Sequence, residues 1–276
     1  MHLQMITIYC VCDDFLKAKG HKDHEQTQMT SAEVMTTLLV ACWFFGGNLP
    51  CACAFLEEGK FISTMLSESR LNRRLHRFVP EDWGAVLTRL TELRAKETTF
   101  VIDRCPVPVC RFTRRFRSRL YPYETENPAY VGHCHAKEKD YYGLKAHTVT
   151  TASGRPVEVL LLCARSHDLT GMKELTLDLP EGATLYGDKA YNDYKYEDRL
   201  AEKREIALQP IRKKNSKRGY EVEVAKTVSK SRKRIETTFS GISALLPRKI
   251  HAVTQRGLEI KVMATFVAYA ILGVAS

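Results

Sequence analysis

The chain has 276 residues, 44% of them hydrophobic, and a formal net charge of +10. This composition predicts a globular protein with one large domain or two smaller ones, and the charge favours a polyanionic partner, which could be DNA, RNA or an anionic membrane surface. The first residues lack the pattern of a secretory signal, and the longest apolar stretch, residues 262–275, is shorter than the roughly 20 residues that span a bilayer. We therefore expect a cytoplasmic location, no membrane partner and a buried helix at the C-terminus.

The N-terminal third of the chain is predicted to be helical. Thr30 begins a capping box, and the apolar run that follows predicts a helix over residues 31–45, which two glycines end. Residues 67–80 predict a second helix, amphipathic and basic, and a third helical pattern covers residues 81–96. Together these patterns indicate an all-helical region over residues 1–95.

Strand patterns begin after this region. A β-branched and aromatic run predicts a strand at residues 98–103, residues 141–163 predict two strands joined by a Ser-Gly turn, and residues 183–188 predict another short strand. Further patterns predict a helix at residues 192–204, a strand at residues 205–211 and a helix at residues 230–246. This order predicts a mixed α/β domain over residues 96–276, with a sheet flanked by helices.

Two stretches are interpreted as exposed basic loops. Residues 110–123 interleave arginines with phenylalanines and tyrosines, a mixture suited to phosphate contacts and to stacking on bases. Residues 212–234 are strongly basic and precede a candidate catalytic residue. A solvated basic surface would explain either stretch alone, but the two together favour a nucleic-acid groove. The candidate DNA contacts here are Arg111, Arg114, Arg115, Arg117, Lys213, Lys214 and Lys233.

Three carboxylates are candidates for catalysis. Asp103 ends a predicted strand, and the prolines after it are expected to direct the chain out of the sheet. Asp188 follows a later strand, with Lys189 beside it as a candidate DNA contact, and Glu236 lies within a basic helix. An Asx turn, a helix cap or an ion pair would explain each residue singly. Two strand ends and a helix packed on the same sheet could, however, bring the three carboxylates together, which requires a metal ion or a proton.

Hard oxygen ligands favour Mg²⁺ or Mn²⁺ at such a site. Two such ions, about 3.5–4 Å apart, would stabilise the attacking and leaving oxygens of an in-line displacement at phosphorus. The cluster of His133, Cys134 and His135 is another metal candidate, but adjacent side chains of a strand point to opposite faces. The predicted catalytic and metal-binding residues are therefore Asp103, Asp188 and Glu236, with two ions.

Other polar residues receive structural interpretations. His147 and His167 could lie near the metal site, but we expect them to be structural or to support the ligands from behind. Asp168 is expected to cap a helix that begins shortly after it, and Asp13 and Asp14 to cap an early helix rather than to supply catalytic carboxylates.

The sequence resembles a known family. The blocks "VIDRCPVPVCR", "YYGLKAH", "LYGDKAY" and "KRIETTFSGI" look like the successive blocks of bacterial insertion-sequence DDE transposases, in the branch numbered nine-eighty-two. The N-terminal "CDDFLK", "MTSAEVMTTLL" and "ESRLNRRL" are also similar to that branch, so the resemblance spans almost the whole chain. It implies a ribonuclease-H-like catalytic domain with Asp103, Asp188 and Glu236 in the family's carboxylate positions and Arg232 in a basic position of the same helix. Arg104 and Cys105 depart from the pattern, because smaller or apolar residues are expected at these two positions.

The resemblance also implies an activity and partners. A phosphodiester at the end of the element is hydrolysed, and the released 3′-OH attacks target DNA, without a covalent protein intermediate. The helical region would bind terminal inverted repeats of double-stranded DNA through Arg70, Arg73, Arg74 and Arg77, or would serve as a dimerisation module. A homodimer or higher oligomer is expected, since two ends must be held together. The alternatives are a metal-dependent nuclease without strand transfer and a non-catalytic DNA-binding descendant.

Overall fold

A computed structural model describes residues 1–92, 97–126, 128–134, 138–212, 216–220, 222–247 and 250–273, without the side chains of residues 92, 222–225, 228–229 and 231–232. The chain forms two compact units, one made of Met1–Leu93 with Gly241–Ser276 and the other of Arg94–Ser240. The described helices are α1 His2–Ala18, α2 Ser31–Phe44, α3 Leu49–Glu58, α4 Glu68–Leu75, α5 Pro80–Glu92, α6 Asp168–Glu174, α7 Tyr194–Arg204, α8 Val222–Leu245 and α9 Gln255–Leu272. The described strands are β1 Thr99–Cys110, β2 Val131–Cys134, β3 Lys139–Thr151, β4 Pro156–Cys163, β5 Thr184–Gly187 and β6 Ala207–Pro210.

The helix α2 forms the centre of the first unit. Because it is apolar around its whole circumference, it is buried on nearly every side, and α1, α3, α4 and α9 contact it. The predicted capping box is confirmed: the Thr30 hydroxyl accepts from the Glu33 backbone N–H at 3.2 Å, and the Glu33 carboxylate accepts from the Thr30 backbone N–H at 2.6 Å. Gly46 and Gly47 have φ angles of 54° and 79°, which favour glycine, and they end the helix as predicted.

One sequence interpretation of this unit is wrong, and the contacts of the C-terminal segment add a finding that the sequence did not predict. Asp13 and Asp14 do not cap an early helix, because α1 already begins at His2; Asp13 instead pairs with Lys17 one turn later, at 2.6 Å. Residues 241–276, assigned above to the 96–276 domain, pack with the N-terminal helices. The reason is that α9, the predicted buried C-terminal helix, is apolar over most of its surface, and α2 and α5 cover it. As an assignment of functions, the division into 1–95 and 96–276 stays a prediction.

No single helix in the described part of the chain is long and apolar enough to cross a membrane. The helices α2 and α3 reach that length and composition only as a pair, and the chain bends by 111° between them.

The second unit is built on a six-stranded mixed sheet. The strands lie in the order β4, β3, β1, β5, β6, and β2 pairs with β3 beside β4. The strands β1 to β4 pair antiparallel through β3, whereas β1, β5 and β6 pair in parallel. The predicted Ser-Gly turn joins β3 to β4, with Gly154 at a φ of 91°.

The strand β1 is longer than the sequence predicts. It continues past Asp103 through Pro106 and Pro108, although these prolines were expected to end it. Proline is tolerated here because residues 103–110 pair only with β3, whereas the parallel pairing with β5 ends at Ile102. The prolines therefore lie at a local edge of the sheet, where a missing N–H breaks no ladder on the open side.

The interior of the sheet unit lies between the strands and the helices that follow them. Phe100, Ile102 and Leu185 from the strands pack with Met172 of α6 and Leu200 of α7 in one buried cluster. The basic stretch 212–234 was expected to be an exposed loop, but residues 222–234 belong to α8, because no glycine or proline follows Gly219 until Gly241. The mixed sheet flanked by helices and the helical N-terminal region confirm the predicted ribonuclease-H-like fold.

Candidate active site

Asp103 and Asp188 occupy equivalent positions on two neighbouring strands. The last parallel pair of β1 and β5 is Ile102 with Gly187, and each aspartate is the next residue along its strand. Because paired residues of parallel strands advance in the same direction, both aspartates leave the ladder at the same end of the sheet. Asp103 lies inside β1 rather than at its end, and it is only 8% exposed. The two aspartates therefore share one end of the sheet because the parallel pairing of β1 with β5 ends just before them, and not because both strands end there.

Local hydrogen bonds orient both carboxylates. Asp103 accepts from the backbone N–H of Arg104 at 2.8 Å. Asp188 accepts from the backbone N–H of Lys189 and so caps the short 3-10 turn Lys189–Tyr191. Gly187 permits this turn, because a side chain there would press on the Tyr191 ring at 3.0 Å.

Tyr191 is the last residue of the short turn that Asp188 caps. Its side chain is fully buried, and no described residue forms a hydrogen bond with its hydroxyl. Burial raises the pKa of this hydroxyl, and the charges of Asp103, Asp168 and Asp188 raise it further. A polar atom buried without a partner is costly, so this hydroxyl lowers the stability of the fold.

Asp168, interpreted above as a helix cap, is a third carboxylate beside the aspartate pair. It is the first residue of α6, whose N-cap is His167, and it forms no cap. Its carboxylate pairs instead with Arg104 at 2.5 Å and with Lys145 at 3.3 Å. Arg104 comes from β1, the strand that carries Asp103, and Lys145 comes from the neighbouring β3, so only tertiary pairing reveals their partner. Arg104, one of the two departures from the family pattern, thus has a defined electrostatic role.

His147 lies beneath this ion-pair cluster. It is opposite Arg104 in the β1–β3 register, and its side chain is fully buried. Burial lowers the pKa of the imidazole to about 4, and the charges of Lys145 and Arg104 lower it too, against the opposing effect of Asp168. Neither ring nitrogen has a partner among the described residues. The ring is therefore neutral at physiological pH and is part of the packing of α6 against the sheet.

Glu236 lies on α8, and its expected place beside the aspartates stays a prediction. On α8, Arg234 donates to the carbonyl of Ser153 and Thr238 to that of Gly154, both at 2.7 Å, which attaches the helix to the β3–β4 turn. Glu236 is exposed, since at about 100° per residue it lies away from the buried Thr238. Among the described residues, no group of three His, Cys, Asp or Glu side chains is placed to hold a metal ion. A hard divalent cation prefers oxygen ligands, and the carboxylates of Asp103 and Asp188 are ligands of this type. Two carboxylates alone do not complete the coordination of such an ion.

The structure describes only part of the alternative metal cluster of His133, Cys134 and His135. His133 pairs with Asp140 across β2 and β3 at 2.8 Å, and His135 is outside the described residues.

A basic and aromatic turn follows β1. The 3-10 turn Phe112–Arg117 carries two exposed arginines, Arg114 and Arg117, and the exposed Arg111 directly precedes it. Arg115 instead stacks between the rings of Phe112 and Phe116, 4.2 Å from each centroid. This stacking holds Phe116 in a position where 62% of it is exposed. The turn thus presents positive charge and an aromatic face together.

The other predicted DNA contacts differ in their surroundings. Lys189 and Lys233 are exposed, as are Arg70 and Arg73 on α4, whereas Arg74 is largely buried. Lys213, Lys214 and the side chain of Arg232 are outside the described part of the chain.

Comparison with protein families gives a match over most of the chain. Residues 94–271 match the model described as the transposase DDE domain, a span that contains Asp103, Asp188 and Glu236. Comparison with curated proteins and with solved structures gives no match. The family match includes the whole mixed sheet and implies dependence on a divalent metal. The chain therefore belongs to the DDE transposase family.

Proposed function

We propose that the chain is the transposase of an insertion sequence, in the branch numbered nine-eighty-two that its sequence blocks resemble. The observation that supports this most strongly is the placement of Asp103 and Asp188, one residue beyond the paired Ile102 and Gly187 at the end of the parallel ladder. Membership of the DDE transposase family adds the reaction class.

The proposed reaction has two steps at phosphorus. Water attacks a phosphodiester at the end of the element and breaks a P–O bond, which leaves a 3′-OH on the element and a phosphate on the flanking strand. The 3′-OH then attacks a phosphodiester of target DNA and displaces a 3′ oxygen, so one P–O bond forms for each that breaks. The proton of each attacking oxygen passes to solvent.

The proposed metal set is two Mg²⁺ or Mn²⁺ ions, held by Asp103 and Asp188 with Glu236 as the third carboxylate. Bound divalent ions supply positive charge that stabilises the attacking and leaving oxygens. The described residues contain no ready group of three such side chains, so the proposal requires that the three carboxylates close around the metal when DNA binds. Asp168 is not a proposed ligand, because Arg104 and Lys145 already neutralise it.

The proposed partner is double-stranded DNA, as terminal inverted repeats and as target. The exposed Lys189 is next to Asp188, where it would contact a phosphate near the reacting bond. The turn Phe112–Arg117 would contact the backbone through Arg111, Arg114 and Arg117, with Phe116 available for stacking on a base. The proposed contacts of the second unit also include Lys233. Three more are proposed from the sequence alone: Lys213, Lys214 and Arg232. A homodimer or higher oligomer in the nucleoid would hold two ends together.

The test is an assay of cleavage and joining. Purified protein is incubated with Mg²⁺ or Mn²⁺, a donor plasmid that carries the coding sequence with its flanking DNA, and a target plasmid. Joined donor–target products support the transposase. Cleavage without joining would instead support the metal-dependent nuclease, and DNA binding without either reaction would support the non-catalytic descendant.

Substitutions assign the site. Asp103→Asn, Asp188→Asn and Glu236→Gln are each expected to reduce cleavage by at least about a thousandfold and to leave DNA binding in place, since each removes a metal ligand. Asp178→Asn, an exposed residue of the same unit, is the matched control and should keep full activity. Full cleavage by Glu236→Gln would show that the third carboxylate is not a ligand.

A further inference from the structure

The segment that carries Asp188 is attached at both of its ends to the residue that follows β6. At one end, the backbone N–H of Ile211 donates to the carbonyl of Gly187 at 2.9 Å. At the other end, the side-chain amide of Asn192 donates to the carbonyl of Ile211 at 2.8 Å. Asp188 lies between these two contacts, so the backbone on either side of its carboxylate is held by the sheet.

The amide of Asn192 uses both of its N–H groups and its oxygen. The N–H groups donate to the carbonyl of Ile211 and, at 2.9 Å, to that of Lys189, and the oxygen accepts from the Arg212 guanidinium at 2.9 Å. A carboxamide carries two donors and an acceptor on one planar group. A carboxylate here would place an oxygen against two carbonyl oxygens, and an aliphatic side chain would bond to neither. The contacts therefore require the amide of asparagine.

The guanidinium that orients this amide is itself held in place. Arg212 donates two hydrogen bonds, at 2.7 and 2.8 Å, to the carboxylate of Glu197, a buried residue of α7. It also lies over the ring of Tyr220, 4.7 Å from the centroid. Two parallel hydrogen bonds fix a guanidinium in orientation as well as in distance. Asn192 thus connects the turn after Asp188 to a buried ion pair.

Lys189 is the residue through which Asn192 acts on Asp188. The backbone N–H of Lys189 donates to the Asp188 carboxylate, and the carbonyl of Lys189 accepts from Asn192. The peptide groups on both sides of Lys189 are therefore held by side chains, and a rotation of this backbone would break one contact or the other. Hydrogen bonds behind a metal-binding carboxylate fix its orientation, and loss of such a partner typically weakens metal binding roughly 10–100-fold.

We propose that Asn192 is a positioning residue for Asp188. Its amide holds the turn in which the carboxylate is oriented toward the divalent metal, and Asn192 itself contacts neither the metal nor DNA. The inference rests on the proposed function, which makes Asp188 a metal ligand.

The first experiment measures hydrogen exchange of the full chain without metal, in the peptide that contains Lys189 and Tyr191, whose N–H groups both donate to Asp188. Asn192→Leu removes the three hydrogen bonds of the amide and stays uncharged and similar in size. Exchange in this peptide should become about tenfold faster, the effect of losing one hydrogen bond of about 1.4 kcal/mol. Asn192→Asp keeps the contact with Arg212 but cannot donate, so it should show the same increase.

Tyr194→Phe is the matched control. The Tyr194 hydroxyl forms hydrogen bonds with the Ser216 hydroxyl at 2.6 Å and with the backbone N–H of Lys217 at 3.1 Å. The control therefore loosens the same connection after β6 without touching the Lys189 carbonyl, and exchange around Asp188 should stay as in the wild type. Wild-type exchange in both Asn192 variants, or an equal increase in Tyr194→Phe, overturns the proposal.

The second experiment measures Mn²⁺ binding, by electron paramagnetic resonance of the free ion, in the presence of a duplex from the flanking DNA. Asn192→Leu should bind Mn²⁺ about tenfold more weakly, and its cleavage should recover at saturating metal, whereas Tyr194→Phe should match the wild type. Wild-type affinity in Asn192→Leu, when Asp188→Asn does weaken binding, would overturn the positioning role. If Asp188→Asn binds Mn²⁺ as the wild type does, the proposed function fails, and the exchange experiment alone decides whether Asn192 holds the turn.

Discussion

Replacement of His147 by leucine tests the electrostatic description of the sheet interior. The imidazole is fully buried, and its pKa is lowered from 6.5 to about 4 in the folded chain. In the unfolded chain the ring takes up a proton as the pH falls through about 6.5, whereas in the folded chain it does so only near 4. The unfolded state therefore binds more protons in this range, and stability must rise with pH.

The lowering of the His147 pKa corresponds to a free energy of roughly 3 kcal/mol, since one pKa unit is worth about 1.4 kcal/mol. This contribution is fully present above about pH 6.5 and is lost as the pH falls toward about 4. The free energy of unfolding of the wild type, relative to that of His147→Leu, should thus fall by roughly 3 kcal/mol over this range. Leucine keeps an apolar side chain against Gly171 and does not titrate.

Urea denaturation followed by far-UV circular dichroism, at several pH values, measures the difference. The exposed His251→Leu is the matched control for loss of an imidazole. A wild-type-to-His147→Leu difference that stays constant over the whole range would refute the description of His147 as a buried neutral ring.

Two further substitutions test the surroundings of the aspartates. Asp168→Asn should lower the free energy of unfolding by about 3 kcal/mol, because it leaves the largely buried Arg104 and Lys145 without their carboxylate. A urea titration measures this loss. A loss under about 1 kcal/mol would contradict the ion-pair network. Tyr191→Phe should raise the free energy of unfolding by about 1 kcal/mol, because it removes a buried hydroxyl that lacks a described partner and keeps the ring. A lower melting temperature for this variant would show that the hydroxyl is hydrogen-bonded after all.

Much of the fold follows from short-range patterns. The capping box at Thr30 and the glycines after Phe45 bound α2 to within one residue of the prediction, because caps and left-handed glycines act within a single turn. The hairpin around Gly154 was equally predictable from alternating β-branched residues and a turn dipeptide. The length of β1 was not, because proline is tolerated or excluded according to which neighbours a strand has.

The site shows the same division. That Asp103 and Asp188 follow two strands is visible in the sequence, and the ladder between β1 and β5 places them side by side. The partners of Asp168 come from β1 and β3, distant in sequence, so a helix cap was the reasonable local interpretation and was wrong. Glu236 was expected beside the aspartates because a helix packed on the same sheet could bring its carboxylate there. This stays a prediction, because a helix can pack on a sheet in many rotations and the sequence pattern does not choose among them.

The amino-acid sequence by itself determined the mixed α/β class, the helical first third and the family to which the chain belongs, because these depend on periodicity and on ordered blocks of residues. Only the tertiary structure decided which charged side chains form ion pairs within the fold. Arg74 pairs with Asp23 and Arg104 pairs with Asp168, whereas Arg70 and Arg77 are exposed. The physical reason is that the effect of a charge depends on its burial and its nearest counter-charge, and both are set by residues far away along the chain.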